Sequence, residues 1–491
     1  MPGKSLHFSR RAFLAGSAAL MARRAVGAPA AGGDFEVVIV GAGAAGIAAA
    51  RRLAAAGRRY VVIEATDHVG GRCVTDTKTF GVPFDRGAHW IYLPDSNPVT
   101  KLTPRNGIDI YPAPESQKVR IGLRYAREGE LEDFLSAQVR TTRAISDAAR
   151  KADVACEQAV PNDLGDWRGA VEFVLGPYAC AKNLVQVSSL DFARAAERNK
   201  AAFCKQGFGA MLAALARGLN IHLATPATAV DSRGTITVQT GKGTIAARTA
   251  IVTVPTNVIA SGGLRFGSDF GHQAIDAFGR VSLGSYDHIA LELAGNPLGL
   301  DSDDLVFEKS ADTHTAAILA NVSGTELCLI DVAGAFGREL SAQGEAAMID
   351  FAGNWLARLY GSEVKNAIGR KYATRWNSEP FALGAWSAAG PGGQSARRQL
   401  LQPIADDVWY AGEAAHETLW GTVGGAWESG ERAADAVLRR LGPLRSAAPA
   451  EPEAKAKRKP SVRARVERRE RRESLEPRYY GGTPNIMAPE R

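Results

Sequence analysis

The sequence predicts an α/β fold with a parallel βαβ unit near its N-terminal end, on the strength of two apolar runs and the glycines between them. Val37-Val38-Ile39-Val40 feeds directly into Gly41-Ala42-Gly43-Ala44-Ala45-Gly46 and an alanine-rich stretch of helical composition. A second run, Tyr60-Val61-Val62-Ile63, ends on Glu64. Short unbroken apolar runs suit strands buried on both faces of a parallel sheet. The glycines let the backbone approach a pyrophosphate, the helix N-terminus offers N–H groups and a favourable dipole to that anion, and the acid accepts ribose hydroxyls. Gly41, Gly43, Ala44, Ala45, Gly46 and Glu64 are therefore the first candidates for holding a dinucleotide.

The two ends of the chain differ from its body. With 491 residues and 45% hydrophobic content, the chain can bury a large core across two interleaved domains. Its first thirty residues carry +5 and residues 444–491 carry +6, which leaves −4 for the rest of a chain whose total is +7. The basic character thus belongs to the ends. Ser9-Arg10-Arg11-Ala12-Phe13-Leu14, followed by an apolar stretch to Met21 and by Ala28-Pro29-Ala30, resembles a bacterial twin-arginine export signal over residues 1–30. Such a signal implies transport of an already folded protein through the twin-arginine translocase to the periplasm. The tail at 444–491, with Lys455-Ala456-Lys457-Arg458-Lys459-Pro460 and Arg468-Arg469-Glu470-Arg471-Arg472, reads as a solvated, disordered extension, and no nucleic-acid partner is expected. The five cysteines, Cys73, Cys156, Cys180, Cys204 and Cys328, lack metal-ligand or disulfide-framework spacing and read as core thiols. No metal site is expected.

Beyond Glu64, Val69-Gly70-Gly71-Arg72 and later Phe84-Asp85-Arg86-Gly87-Ala88-His89-Trp90-Ile91 extend the fingerprint. An arginine beside a pyrophosphate can offer its oxygens a bidentate fork. From Asn106 to Ser188 the chain reads as mostly helical and poorly marked. Gly207-Phe208-Gly209-Ala210-Met211 then opens a helix, followed by strands at Ile221-His222-Leu223, Thr235 to Gln239 and Ala250 to Val254, the last ended by Pro255. Far downstream, Val408-Trp409-Tyr410-Ala411-Gly412-Glu413-Ala414 reads as a strand ending at an acid. A helix starting near Thr422-Val423 follows it.

Taken together, these segments resemble the FAD-dependent amine oxidase family, of the monoamine and polyamine oxidase kind, over about residues 34–442. The resemblance implies a Rossmann-like FAD domain from residues 34–100, 200–290 and 400–442. Interleaved with it would be an α+β substrate domain, a mixed sheet with helices, from 101–199 and 291–399. It implies that Gly71 and Arg72 reach the pyrophosphate, Gly87 and Ala88 pass the flavin ring, Ala227 contacts the adenine, Glu413 binds the ribityl hydroxyls, and the Thr422-Val423 backbone meets the flavin pyrimidine edge. His89, Trp90, Trp420 and Thr422 become candidates for the substrate walls, and His288 and Trp386 for the catalytic positions.

Three departures from the family pattern matter. Ala385 stands where monoamine oxidases carry the cysteine that bonds the flavin, so FAD is expected to be non-covalent. The two tyrosines that sandwich the amine align with Trp386 and Thr422, leaving Trp420 as a substitute wall. The lysine that holds a water near flavin N5 aligns with His288, which could hold that water through a ring nitrogen or pack as an ordinary strand histidine. The expected activity is hydride transfer from an amine to FAD, with O2 or an electron-carrier protein as the final acceptor and a homodimer as an open assembly. An L-amino-acid oxidase would want a basic residue for the substrate carboxylate, and none is identified from the sequence. A desaturase or isomerase of lipid-like substrates is the other alternative.

Overall fold

A strand that is apolar on both faces has to be covered by two layers, and Val37, Val38 and Ile39 are sealed from solvent in the computed structural model, which describes residues 35–103, 106–268 and 270–444. Strand Phe35–Val40 lies at the centre of a nine-stranded sheet, parallel to Tyr60–Ile63 on one side and to Gly243–Val252 on the other. The long Gly243–Val252 strand serves two partners beyond Phe35–Val40. Its first half pairs antiparallel with Ile236–Thr240, and its last residues pair parallel with Val408–Tyr410. The N-terminal fingerprint and the distant Val408–Tyr410 strand therefore belong to one sheet. The amine-oxidase-like segments at opposite ends of the sequence meet because one strand is shared between them.

Two helices cover one face of this sheet, Ala44–Ala55 and Val423–Leu441. Their contact is made from small residues, Ala45 and Ala49 against Ala433 and Ala434, so the backbones approach closely. A methyl group added at Gly430 would sit 2.1 Å from the carbonyl oxygen of Ala45, so only glycine fits there.

A second, mixed sheet of seven strands runs in the order Ile368–Ala373, Tyr286–Leu293, Leu327–Ala333, Ala317–Leu319, Leu305–Glu308, Gln117–Ile121, Arg124–Tyr125. All its pairings are antiparallel except Leu305–Glu308 with Gln117–Ile121. Two corrections to the sequence reading follow. The segment after Asn106 is not mostly helical at first, since strands Ile110–Pro112, Gln117–Ile121 and Arg124–Tyr125 precede the Glu128–Ala149 helix. Strand Tyr286–Leu293, grouped above with the cofactor segments as far as residue 290, pairs within the second sheet.

Residues up to Gly442 form one compact unit, and Pro443 begins another of which only Pro443 and Leu444 are described. The twin-arginine-like segment and the basic tail beyond Leu444 lie outside the described residues. All five cysteines are buried and unpaired. Among the described residues no helix is long and apolar enough to cross a membrane, and no cluster of His, Cys, Asp or Glu is placed to hold a metal.

One buried ion pair fixes how the C-terminal strand sits. Arg397 and Asp191 are both fully buried, with Nε and Nη2 donating to the two carboxylate oxygens at 2.7 and 2.8 Å. Nη1 also donates to Ser387 Oγ and to the Ala414 carbonyl, each at 3.0 Å. Removing one partner strands the other charge in a dry interior. Arg397→Met is expected to cost about 3–5 kcal/mol, read as a lower urea midpoint, and a loss under about 1 kcal/mol contradicts this account.

Candidate active site

The glycine-rich turn is shaped as an anion cradle. The Ala44–Ala55 helix begins at Gly43 with no side chain capping its first N–H groups, which leaves donors for a ligand. Gly46 lies beneath the turn, where a methyl group would meet the Gly41 carbonyl oxygen at 2.0 Å. Its role is thus close approach of helix to turn, and it is absent from the cavity wall that Gly41, Gly43, Ala44 and Ala45 line. Glu64 ends its strand with Oε2 accepting from the Ala42 N–H at 2.7 Å and Oε1 accepting from the Thr66 N–H and hydroxyl, each at 2.9 Å. The carboxylate is thereby fixed at the cavity edge with lone pairs to spare for ribose hydroxyls.

From this cradle a single cavity of about 410 Å³ continues past Gly71 and Arg72, then Gly87 and Ala88, to Thr422 and Val423, with Ala227 also in its wall. The Val423–Leu441 helix starts here, and its Thr422 cap accepts from the Gly425 N–H at 2.9 Å. Two uncovered helix N-termini and a glycine-lined floor fit a dinucleotide that carries a pyrophosphate at one end of the cavity and an electron-accepting ring at the other.

Two acids behave differently from expectation. Glu413 was expected to take ribityl hydroxyls, but its two oxygens already accept from Arg72 Nη1 at 3.0 Å, the Ser387 N–H at 3.1 Å, the Ser387 hydroxyl at 2.6 Å and the Gly421 N–H at 2.8 Å. Four donors fill a carboxylate's lone-pair sites. Burial pushes its pKa up, but the Arg72 charge and these hydrogen bonds outweigh burial and hold it below the usual carboxylate value. Arg72 is correspondingly paired with Glu413 through Nη1, and the same nitrogen donates to the Ala385 carbonyl.

Asp85 organises the next wall. It accepts from His89 Nδ1 at 3.0 Å and from the N–H groups of Phe208 and Gly209, which begin a helix. His89 and Trp90 both line the cavity, packed on Phe203 with ring centroids at 4.4 and 4.7 Å.

His288 lies opposite Asp331 in the antiparallel pairing of Tyr286–Leu293 with Leu327–Ala333. Strand alternation puts Tyr286 and His288 on the cavity face, with Asp287 turned to the other side, where it accepts from the Trp376 N–H at 2.8 Å. Both His288 nitrogens are committed, Nδ1 to Asp331 at 2.6 Å and Nε2 to the Gly87 carbonyl at 2.9 Å. Two acceptors require two N–H donors, which is the imidazolium form. Burial opposes that charge, but Asp331 and the Gly87 carbonyl outweigh it and raise the pKa above the ordinary 6.5. No ring nitrogen remains for the expected water.

The substrate walls also differ. Trp386 lines the cavity, but Trp420 does not; it is 1% exposed, with Arg198 and Arg397 against its ring and its N–H on the Asp191 carbonyl at 3.3 Å. The aromatic partners of Trp386 are instead Tyr286, at 4.8 Å between centroids, and behind it Tyr178, at 5.9 Å from Tyr286. Tyr178 comes from a single π-helical turn, Val174–Tyr178, which contains Pro177. Sequence reasoning passed over Tyr178, Tyr286, Tyr92, Arg198 and Asp331. Of these, Tyr286 could have been found from its two-residue spacing to His288.

The His288–Asp331 pair sets a pH dependence. A raised folded pKa contributes stability that is complete below about pH 6.5 and is lost as pH rises through the folded value. The thermal midpoint should therefore fall more steeply above neutrality in the native protein than in His288→Gln, and parallel profiles would contradict the imidazolium assignment.

Comparison with known proteins agrees with this geometry. The pattern described as "Flavin containing amine oxidoreductase" matches residues 156–438, and that of an NAD(P)-binding Rossmann-like domain matches residues 39–103. The chain is 26% identical over 441 residues to human Lysine-specific histone demethylase 2, covering 82% of this chain but 53% of that protein, about half its length. It is 24% identical over 449 residues to Polyamine oxidase 2 of Arabidopsis thaliana, covering 83% and 90%. Among solved structures, a Putrescine Oxidase bound to putrescine superposes with a TM-score of 0.70 at 18% identity, and Cyclohexylamine Oxidase from Brevibacterium oxydans with 0.71 at 17%. Each covers 83% of this chain and 99% of its own, and both show the same fold. A fold that joins both ends of the sequence around one dinucleotide-shaped cavity, and a family pattern matched over more than half the chain, place this protein in the flavin-containing amine oxidoreductase family.

Proposed function

We propose that this FAD-dependent amine oxidase oxidises the C–N bond of a primary or secondary amine seated against Trp386 and Tyr286, giving an imine that water hydrolyses to a carbonyl compound. The observation that carries the reading is the continuity of one cavity, with the Gly41–Gly46 cradle at one end and the Trp386–Tyr286–Tyr178 wall at the other. The named activities of the relatives, on polyamines, putrescine and cyclohexylamine, support an amine as substrate.

The chemistry FAD supplies when bound is two-electron oxidation, acceptance of a hydride from the carbon next to nitrogen. The chain's own residues hold and shape the site. Glu64 accepts from the adenosine ribose, the N-terminus of the Ala44–Ala55 helix faces the pyrophosphate, and the Val423 end of the second helix faces the pyrimidine edge, where negative charge grows on reduction. Trp386 and Tyr286 exclude water and align the amine lone pair. His288 acts as a positioning residue, holding the Gly87 carbonyl and with it the backbone of Gly87 and Ala88. With Ala385 in place of a cysteine, the cofactor is held without a covalent bond. The reduced cofactor is reoxidised by O2, yielding hydrogen peroxide, or by an electron carrier.

Anaerobic mixing with a panel of polyamines, aromatic monoamines and cyclic amines should bleach the flavin near 450 nm for at least one class (~450 nm being the general flavin absorption). A flavin that no amine bleaches removes the proposal. Acid precipitation should leave a colourless pellet and a yellow supernatant, and a yellow pellet would show a covalent link.

A further inference from the structure

Two hydrogen-bond donors in the cavity wall have nothing to donate to. Arg198 lines the cavity, and its Nε is buried without an acceptor. Trp386 lines it too, and its Nε1 is likewise buried without one. A buried donor left unmatched is costly, and native interiors seldom keep one without a reason.

The two donors flank the same peptide. Arg198 Nη2 donates to the Trp420 carbonyl, and its guanidinium stacks 4.8 Å from the Trp420 ring centroid and 5.4 Å from that of Tyr92. A methyl group built on the next residue, Gly421, would lie 2.7 Å from Trp386 Cδ1 and 3.4 Å from its Nε1. The Trp420-Gly421 peptide thus has a guanidinium on one side and an indole N–H on the other.

Arg198 is also a cation without an anion. No carboxylate lies within ion-pair distance of it among the described residues, whereas Arg72 and Arg397 have Glu413 and Asp191. Burial pulls its pKa below the ordinary guanidinium value, only partly offset by Tyr92. The carboxylates in the wall are otherwise engaged or distant from the interior: Glu64 accepts from Ala42 and Thr66, Glu413 is filled by four donors, and Glu379 is exposed. Asp331 behind the wall accepts from Tyr286 and His288. The enclosed aromatic end of the cavity therefore carries an unneutralised positive charge and two empty donors. A second ammonium, as in a diamine, would meet repulsion there, and a carboxylate would satisfy all three.

We infer that Arg198, together with the indole N–H of Trp386, is a carboxylate-binding site and that the substrate is an amine bearing a carboxylate, an amino acid or its N-substituted analogue. This rests on the amine-oxidation reading above and narrows its substrate. The chemistry stays balanced. The Cα–H bond breaks with its electron pair passing to the flavin, the nitrogen lone pair completes a C=N bond, and water converts the imino acid to an oxo acid and ammonium or a free amine. The carboxylate is retained and takes no part in the electron transfer.

The test uses the flavin-loaded protein with pairs that differ only by the carboxylate: phenylalanine and 2-phenylethylamine, ornithine and putrescine, proline and pyrrolidine. Anaerobic flavin reduction should favour the carboxylate-bearing member by about 100-fold in second-order rate, the worth of one buried charge-assisted contact. Arg198→Gln should collapse that ratio through weaker binding, and Arg198→Lys should restore part of it. Benzoate provides a readout without turnover, and it should raise the thermal midpoint of the native protein and not that of Arg198→Gln. Faster reduction by the decarboxylated member of every pair, or a ratio that Arg198→Gln leaves intact, overturns the inference while amine oxidation stands. Loss of flavin from Arg198→Gln with no benzoate binding to the native protein assigns Arg198 to the cofactor and overturns it as well. Should neither member of any pair reduce the flavin, the amine-oxidation reading falls, and benzoate binding alone then supports or overturns the carboxylate site.

Discussion

The active site hangs on one buried carboxylate. Glu413 sits at the end of the last strand of the sheet and collects donors from Arg72, Ser387 and Gly421, so four distant stretches of chain converge on two oxygen atoms. A charge in such a place is tolerable only when its lone pairs are filled, and partial satisfaction would cost several kcal/mol. The arrangement is accordingly all or none. Ser387 carries it further, since its hydroxyl accepts from Arg397, which in turn grips Asp191. Through this chain of contacts the Gly70-Gly71-Arg72 turn, the Ala385-Trp386-Ser387 segment and the start of the Val423–Leu441 helix hold fixed relative positions. Those three pieces are the walls of the cavity.

Against this ionic frame the cavity is divided by polarity. Its cradle end is built from backbone N–H groups and one acid, and it suits a polyanion. Its far end is aromatic, with Trp386, Tyr286 and Tyr178 in succession. The imidazolium of His288 lies between them, neutralised by Asp331 and spent on the Gly87 carbonyl. The electrostatic surplus falls instead on Arg198, which no acid answers.

What could be read from the sequence was what local pattern encodes. The strand, glycine turn and helix from Val37 onward obey short-range rules, and so does the acid-ended strand at Glu64. Strands Gln117–Ile121 and Leu305–Glu308 were opaque because each is completed by a partner almost two hundred residues away, and neither alternates strongly enough to declare itself. The Asp331 partner of His288 is likewise a matter of strand register, which no local signal reports. Trp420 was misplaced for a different reason. Adjacent residues in an irregular loop point in unrelated directions, so proximity to Thr422 in sequence carried no information about which side of the peptide the ring would take. Glu413 was recognised as a site residue, but its saturation by four protein donors follows only from knowing what surrounds it.

The close helix contact at Gly430 and Ala45 has a bearing on how the protein is made. The two helix N-termini that face the cavity belong to the first and last helices of the compact unit. During synthesis the cradle at Gly41–Gly46 emerges early, yet its opposite wall is among the last parts of that unit to leave the ribosome. A nascent chain therefore carries half a cofactor site for most of its growth. Capture of the flavin belongs to the end of folding, when the Val423–Leu441 helix docks on Ala44–Ala55 and closes the cleft around it.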